Sequence, residues 1–409
     1  MICMNLIVRS LCVLVAMVGL LAAGGAAAQV RLGIDEMQSG GFAPLKNKRI
    51  GIVTNHTGLN SAGVHLVKLL HAAEGVKVEK LFSPEHGLYG IKDEKVDDMV
   101  DAETGLKVYS LYGKTRRPTP EMLAGLDAVV FDIQDIGARF YTYISTMGLL
   151  MEECAKAGVE VIVLDRPNPI GGERVEGPLA DKEHLGFTAY GPIPVVHGMT
   201  VGELAKLFNT EYGINCKLTV VPMTGCKRSM MWGDTGINWV NPSPNMRSPL
   251  QALLYPSIGL LEASNVSVGR GTDTPFELFG APYINGEQLA GELNSPLNGA
   301  GLAGLRFEPV KFTPVNTVHK MNKVPCEGVR VIVTDPAAYN AVRSGVIFAW
   351  TLEKLYPNDY QQDLLLKMLQ NTAAVDSIYK LPNPATAEDL WRDDLNAWKK
   401  TRAKYLMYQ

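Results

Sequence analysis

Carboxylate side chains follow two short apolar runs of this chain, and carboxylates at such places can transfer protons. Glu85 lies in a Pro-Glu-His-Gly motif directly after the run 78–83, and Asp132 and Asp135 follow the run 126–131. A glutamate held by a tight turn in a partly apolar crevice can serve as a general acid, while a second carboxylate can activate water or act as a nucleophile. The alternative for each acid is a structural pair with a nearby arginine or histidine. We predict Glu85, Asp132 and Asp135 as catalytic candidates.

Polar residues at the ends of these and other apolar runs form a second group of candidates, which could bind a ligand. Amides, imidazoles and phenols can hydrogen-bond to a ligand or orient a carboxylate, and an arginine can hold a ligand carboxylate through two parallel hydrogen bonds. For the arginines the alternative is a charge pair with an acid such as Asp135 or Asp165, and for the histidines a structural role. The predicted binding residues are Asn55, His56, His86, Arg139, Tyr141, Asp165, Arg166, Asn168, Asn245 and Arg270.

The apolar runs themselves predict the element that brings these side chains together. Four of them, at 49–55, 78–83, 126–131 and 159–164, are too short for helices and rich in Val, Ile and Phe, which indicates buried parallel strands. Helical patterns at 62–73 and 143–157 lie between them, so we predict a doubly wound, Rossmann-like α/β sheet. A further helix is predicted at 200–212, with a capping box formed by Thr200 and Glu203, whereas 167–194 is rich in Pro and Gly and is predicted to be irregular. Ligands of doubly wound sheets bind beyond the carboxyl ends of the strands, where all four polar ends would meet.

Motifs for a bound cofactor are missing from the sequence. No GxGxxG follows the first strand, no GxxxxGK[ST] occurs anywhere, and no HExxH-like spacing supports a metal. We therefore predict neither a cofactor nor a metal, although a metal site built from the acids and histidines at the strand ends remains an alternative.

The pattern of the chain changes twice, which suggests three segments. At the start, Arg9 precedes the apolar run 11–21 and three alanines precede Gln29, so 1–28 is predicted to be a secretory signal peptide. Residues 29–255 are predicted to form the Rossmann-like catalytic domain, and 256–409 a smaller α/β domain that closes the cleft. The charged stretch 88–104 is either a solvated loop or a lid.

The predicted leader implies an exported protein, either periplasmic or secreted, with no membrane span after cleavage. The 39 basic and 42 acidic side chains give a formal charge of −3, which argues against a nucleic-acid partner or an anionic membrane. Cys216 and Cys226 flank a predicted strand and could pair in an oxidising compartment, while free thiols are the alternative.

Several motifs give the chain a family resemblance. They are Phe-Ser-Pro-Glu-His-Gly at 82–87, the run 131–143, Leu-Asp-Arg-Pro-Asn-Pro at 164–169, Pro-Ser-Pro-Asn-Met at 242–246 and Ser-Val-Gly-Arg-Gly-Thr at 267–272. With these motifs the chain resembles the NamZ family of exo-β-N-acetylmuramidases. The resemblance implies a glycoside hydrolase that removes N-acetylmuramic acid from non-reducing ends of peptidoglycan fragments, with Glu85 as catalytic acid and a cleft between two domains.

The expected partners are therefore peptidoglycan-derived muramyl saccharides, whose lactyl carboxylate would meet Arg139, Arg166 or Arg270. Two alternatives from other classes remain at this point. One is an exported binding protein for muramyl cell-wall fragments, and the other is a metal-dependent amidase or deacetylase that acts on them.

Overall fold

The computed structural model describes residues 29–90, 96–299, 301–315, 317 and 320–409. The predicted signal peptide at 1–28 lies outside the described residues, as does the part of the charged stretch at 91–95. Within the described part of the chain, no helix is long and apolar enough to cross a bilayer.

Twelve strands occur in the described residues, and seven of them form the central sheet in the order β3-β4-β2-β1-β5-β6-β9. All neighbours in this sheet are parallel except β3 and β4. The strands are β1 Lys48–Thr54, β2 Val76–Ser83, β3 Met99–Val100, β4 Lys107–Ser110, β5 Ala128–Asp132, β6 Glu160–Leu164, β7 Glu176–Leu179, β8 Pro194–Val196, β9 Leu218–Val221, β10 Leu278–Ala281, β11 Leu305–Phe312 and β12 Cys326–Val333.

The α-helices of the described residues cover both faces of this sheet and build much of the second domain. They are α1 Gly33–Ser39, α2 Leu66–His71, α3 Pro120–Leu123, α4 Tyr143–Ala157, α5 Val201–Glu211, α6 Pro249–Ile258, α7 Gly286–Leu293, α8 Pro296–Gly299, α9 Ala341–Leu355, α10 Leu366–Leu369, α11 Thr372–Ile378 and α12 Arg392–Ala403.

Strand β5 shows why the sheet is covered on both sides. Val129 and Phe131 belong to the apolar core that also contains residues of α4 and α5, while Ala128 and Val130 belong to the core that contains residues of α1 and α2. Because successive side chains of a strand point to opposite faces, a strand that is apolar on both faces over 128–131 must lie between two layers. The predicted doubly wound, Rossmann-like fold is confirmed.

Local capping signals set the helix ends. Helix α4 ends at Gly158, whose φ of +67° lies in the left-handed region that glycine adopts without strain. The predicted capping box of α5 is present, with Thr200 accepting from Glu203 N. Helix α2, predicted at 62–73, begins only at Leu66, because Asn60 Oδ1 accepts hydrogen bonds from the amides of residues 62 and 64 and holds that segment in a turn.

The second domain has its own antiparallel sheet in the order β10-β12-β11. Phe348 of α9 packs against Phe279 of β10 and Phe307 of β11, with ring centroids 5.0 and 5.6 Å apart. Helix α6 spans position 255, at which the sequence places the domain boundary, and packs on α9. The segment 167–194, predicted to be irregular, contributes β7, which pairs with β8 as a small antiparallel ribbon. The four cysteines of the described residues are free thiols: Cys154, Cys216, Cys226 and Cys326.

Candidate active site

The topology of the central sheet creates a crevice beside β1. The chain passes from β1 to β2 on one side of β1 and later returns to β5 on the other side. At such a switch point the loops that follow neighbouring strands diverge and leave room for a ligand. A cavity of about 380 Å³ lies among these loops and the second domain; the residues that line it are Glu85, His86, Tyr112, Phe140, Tyr141, Thr142, Tyr143, Thr188, Ser243, Met246, Tyr255, Glu262, Ala263, Arg270, Phe276 and Met368.

Glu85 reaches the cavity from a tight turn after β2. Gly87 N donates to Pro84 O at 3.0 Å, and His86 and Gly87 adopt positive φ of 70° and 78°. The hydroxyl of Thr142 donates a hydrogen bond to Glu85 Oε2. Thr142 occupies the N-cap position of α4 but its side chain does not cap that helix, so its hydroxyl can hydrogen-bond to Glu85 instead. With Oε2 accepting this bond, Oε1 is the oxygen that can carry a transferable proton.

Tyrosines form the aromatic wall next to Glu85. The rings of Tyr141 and Tyr143 meet edge to face at 5.0 Å, and Tyr143 donates from its hydroxyl to Pro242 O at 2.6 Å. Burial, reinforced by the nearby Glu85 carboxyl group, raises the pKa of both phenols far above the ordinary value of 10.0. Both hydroxyls therefore stay protonated at neutral pH, and the buried hydroxyl of Tyr141 has no hydrogen-bond partner among the described residues.

Arg270 and Glu262 bring an ion pair from the second domain to the same cavity. Arg270 Nε lies 2.6 Å from Glu262 Oε1, and the Tyr255 hydroxyl donates to Glu262 Oε2 at 3.1 Å. The guanidinium carbon of Arg270 lies 5.3 Å from the centre of the Phe276 ring. These partners fix the position and orientation of the guanidinium group at the cavity wall.

Asp132 and Arg166 do not line this cavity, because they satisfy each other. Both side chains are buried, and Arg166 donates to both Asp132 oxygens, with Nη2 2.9 Å from Oδ2. Nη2 of Arg166 also donates to Leu59 O at 2.9 Å. The structure places Asp132, predicted as a catalytic acid, and Arg166, predicted to bind a substrate carboxylate, in a buried ion pair that joins the loops after β1, β5 and β6.

Arg139, predicted as a binding residue, also lies outside the lining of this cavity. Its side chain is fully buried, and it donates to four backbone carbonyls, those of Pro178, Ile193, Met368 and Leu369. Burial lowers the pKa of Arg139 to about 9, which still leaves the guanidinium charged at neutral pH. Within the described residues, Asp135 is not within ion-pair distance of Arg139, so the alternative charge pair is not formed. Arg139 instead joins the β7–β8 ribbon to α10 of the second domain.

Asp135 lies behind the cavity wall and not in it. Its Oδ2 accepts from Gly137 N at 2.7 Å and lies 3.8 Å from His197 Nε2. Burial raises the pKa of Asp135 to about 7 and lowers that of His197 to about 3. The Nδ1 of His197 accepts from Met199 N, so Nε2 carries the proton that faces Asp135. The two groups form a buried contact behind the cavity wall, in which the imidazole of His197 is neutral at neutral pH.

This buried carboxyl group predicts a pH-dependent stability. Since the native pKa of Asp135, about 7, exceeds the ordinary 3.8, its stabilising contribution is complete below about pH 4 and is lost as the pH rises through 7. We expect the free energy of unfolding of the wild type to fall between pH 5 and pH 8 by roughly 2 to 3 kcal/mol more than that of Asp135→Asn. Urea unfolding at both pH values measures it. An unchanged difference between the two pH values would refute the assignment.

The other predicted residues have structural partners, although some lie near the cavity. Asn55 Oδ1 accepts from the amide and hydroxyl of Thr57. His56 Nε2 lies 2.6 Å from Asn241 O, and burial lowers its pKa. The carboxyl group of Asp165 accepts from Thr200 Oγ1 and Gly202 N at the start of α5.

Asn168 and Asn245 complete this group. Asn168 holds its own loop by donating to Met199 O and accepting from Ile170 N. Asn245 is buried between Ser243 and Met246, which line the cavity. Among the predicted residues, the structure thus brings Glu85, His86, Tyr141 and Arg270 together in the cavity.

Thr142 and Glu262 are the important residues that the sequence analysis did not single out. Thr142 lies in the run 131–143, and the feature of the sequence that could have identified it is its N-cap position before the predicted helix 143–157. Glu262 lies in a polar segment after α6, but nothing local indicates that this segment crosses to the cleft. Within the described ranges no cluster of three or more His, Cys, Asp or Glu could hold a metal ion.

Fold and cavity together define a two-domain α/β enzyme with a carboxyl group, tyrosine hydroxyls and an arginine in one cleft. Residues 50–250 match the family described as "Exo-beta-N-acetylmuramidase NamZ, N-terminal", and residues 253–408 match its C-terminal counterpart. The chain belongs to the NamZ family and is a glycoside hydrolase.

Individual relatives agree with this assignment. The chain is 42% identical over 392 residues to the "Peptidoglycan beta-N-acetylmuramidase NamZ" of Bacillus subtilis (strain 168), an alignment that covers 93% of this chain and 92% of the relative. Two crystal structures of DUF1343 family proteins from Bacteroides fragilis NCTC 9343 are also similar. Their TM-scores are 0.84 and 0.76 at 35% and 28% identity, and each comparison covers 93% of this chain and 99% of the other.

Proposed function

We propose that the protein removes N-acetylmuramic acid from the non-reducing ends of peptidoglycan fragments, with Glu85 as general acid. The observation that carries this proposal is the Thr142–Glu85 hydrogen bond inside the aromatic cavity at the switch point. A carboxyl group oriented through one oxygen can present the other to the glycosidic oxygen of a bound sugar. The protonated leaving group then departs while positive charge develops at the anomeric carbon.

Arg270 is the residue proposed to recognise the lactyl carboxylate, which distinguishes muramic acid from other amino sugars of the wall. A guanidinium group has five donors in a planar fork and binds a carboxylate through paired hydrogen bonds. Glu262 is already engaged through both oxygens, since Oε1 is in ion-pair contact with Arg270 and Oε2 accepts from the Tyr255 hydroxyl. We therefore assign Glu262 to positioning Arg270 and leave the charge at the anomeric carbon to the acetamido oxygen of the substrate.

Exo action is supported by the size of the cavity. About 380 Å³ lies near the lower end of the range for ligand pockets and fits one substituted amino sugar better than several linked rings. The export of the protein to the periplasm or medium is part of the same proposal, because its substrate lies outside the cytoplasm. It depends on the signal-like sequence of 1–28.

A defined tetrasaccharide tests the exo-muramidase activity. We expect the purified protein to release free N-acetylmuramic acid first from a reduced tetrasaccharide that begins with muramic acid, as followed by mass spectrometry. The matched tetrasaccharide that begins with N-acetylglucosamine should remain intact. Disaccharide products, loss of acetyl groups or peptides, or binding without cleavage would each contradict the proposal.

A further inference from the structure

An arginine at the rim of the cavity, Arg116, takes no part in the proposed reaction. Arg116 is exposed, and its guanidinium carbon lies 4.2 Å from the ring centre of Phe187 and 5.5 Å from that of Tyr112. The two rings are themselves 5.7 Å apart. Tyr112 lines the cavity, as does Thr188, the neighbour of Phe187. The cation is therefore held at the edge of the space that contains Glu85.

The aromatic contacts are supported by ordered backbone on both sides. Phe187 and Thr188 form the tip of a tight turn in which Gly186 and Ala189 exchange two backbone hydrogen bonds of 3.0 and 3.1 Å. Thr188 Oγ1 accepts from Gln370 Nε2 of the second domain at 2.9 Å. The turn that presents Phe187 is thus fixed to both domains.

The segment that carries Arg116 is fixed as well. The hydroxyl of Thr115 accepts from Arg117 N and donates to Arg117 O, which closes a short turn around Arg116. Arg117 pairs with Glu152 and Glu153 on α4. Among the described residues, no carboxylate lies within ion-pair distance of Arg116, in contrast to its neighbour.

A stacked guanidinium group differs from a free surface cation. It is held in place by cation–π contacts with aromatic rings, and its N–H donors remain able to bind a carboxylate. Stacking also restricts the side chain beforehand, which lowers the entropy cost of binding. Arg116 is thus held at the rim of the cavity by its two aromatic neighbours, one of which, Tyr112, lines that cavity.

We propose that Arg116, stacked on Phe187 and Tyr112, is a binding site for a carboxylate of the substrate beyond the cleaved bond. This inference rests on the proposed function. In a peptidoglycan fragment the sugar next to the cleaved bond, N-acetylglucosamine, is neutral, so the first negative charge is on the muramyl residue that follows. That charge is either its free lactyl carboxylate or a carboxylate of its stem peptide, and the site recognises the chemistry that both share.

Three substrates test the proposal. They are 4-nitrophenyl β-N-acetylmuramide, the disaccharide of muramic acid and N-acetylglucosamine, and the trisaccharide with a second muramic acid, prepared with and without a stem dipeptide. We expect Arg116→Gln to lower kcat/KM on the trisaccharides by about tenfold, mainly through KM, and to leave the two shorter substrates unchanged. The trisaccharide form that loses more identifies the source of the carboxylate. High salt should reduce the loss of kcat/KM that Arg116→Gln causes on the trisaccharides.

Control variants separate this site from general effects of charge or folding. Arg116→Lys keeps the charge but not the planar fork, so we expect it to restore only part of the affinity. Arg306→Gln removes an arginine from the surface of β11, where it pairs with Glu308. This variant should leave kcat/KM unchanged on every substrate. Binding of the trisaccharide and disaccharide to Glu85→Gln, with and without Arg116→Gln, gives a readout that needs no turnover.

Two results would overturn the proposal. One is an equal effect of Arg116→Gln on the disaccharide and the trisaccharides, and the other is no effect on any of them. Wild-type protein that cleaves none of the substrates would instead refute the proposed function, and this inference would fall with it.

Discussion

We expect Glu85→Gln to lower kcat on the disaccharide of N-acetylmuramic acid and N-acetylglucosamine by about 10²- to 10⁴-fold, the usual contribution of a general acid. Glutamine keeps the size of the side chain and can still accept from Thr142, but it has no transferable proton. KM should change little, because the amide occupies the same place in the cavity. Steady-state kinetics with detection of released muramic acid measures both parameters.

The control for this variant is a Glu→Gln change of the same size elsewhere. Glu287 is exposed in the first turn of α7, and Glu287→Gln should retain full activity. Thermal unfolding should show that Glu85→Gln is folded, since the side chain is half-buried and glutamine has nearly the same size. Retention of more than a tenth of wild-type kcat would exclude Glu85 as the acid.

The second large effect is expected at Arg270. Arg270→Met should lower kcat/KM on 4-nitrophenyl β-N-acetylmuramide by about 10²-fold, because a paired, partly buried guanidinium–carboxylate contact is worth about 2 to 5 kcal/mol. On the matching N-acetylglucosaminide, which lacks the lactyl group, the same variant should keep the low activity of the wild type. The ratio of the two kcat/KM values measures specificity.

Using that ratio cancels any loss of folded protein, which matters because Arg270→Met also leaves Glu262 without its ion-pair partner. Arg270→Lys should recover part of the ratio, since it restores the charge but not the planar fork. Equal losses of kcat/KM on both substrates would show that Arg270 maintains the structure of the cavity and does not recognise the lactyl group.

The sequence predicted the sheet well because the signals for it are local. Buried parallel strands are apolar on both faces, so β5 and β6 are recognisable without their neighbours, and the glycine after α4 and the capping box of α5 fix helix ends through contacts of a few residues. Where a side-chain amide competed with the helix, as Asn60 does before α2, the predicted start was wrong.

The site was predicted only in part, because a sequence does not tell which way a polar side chain at a strand end points. Glu85 faces the cleft, whereas Asp132 turns to Arg166 and stays buried. Arg139 and Arg270 both follow glycine-containing loops and look equivalent in sequence. Only the β7–β8 ribbon and α10, which surround Arg139 with carbonyl groups, decide that it is structural. Glu262 reaches the cavity through the packing of two domains, which no local pattern encodes.

The most direct test of the central claim compares two aryl β-N-acetylmuramides that differ in leaving group, 4-nitrophenyl and 4-methoxyphenyl. Each is assayed with wild type and Glu85→Gln, in the presence and absence of EDTA. A general acid matters most when the leaving group is basic, so we predict a much larger loss for Glu85→Gln on the 4-methoxyphenyl substrate and no effect of EDTA. The same loss on both substrates, or inactive wild-type protein, would contradict the account.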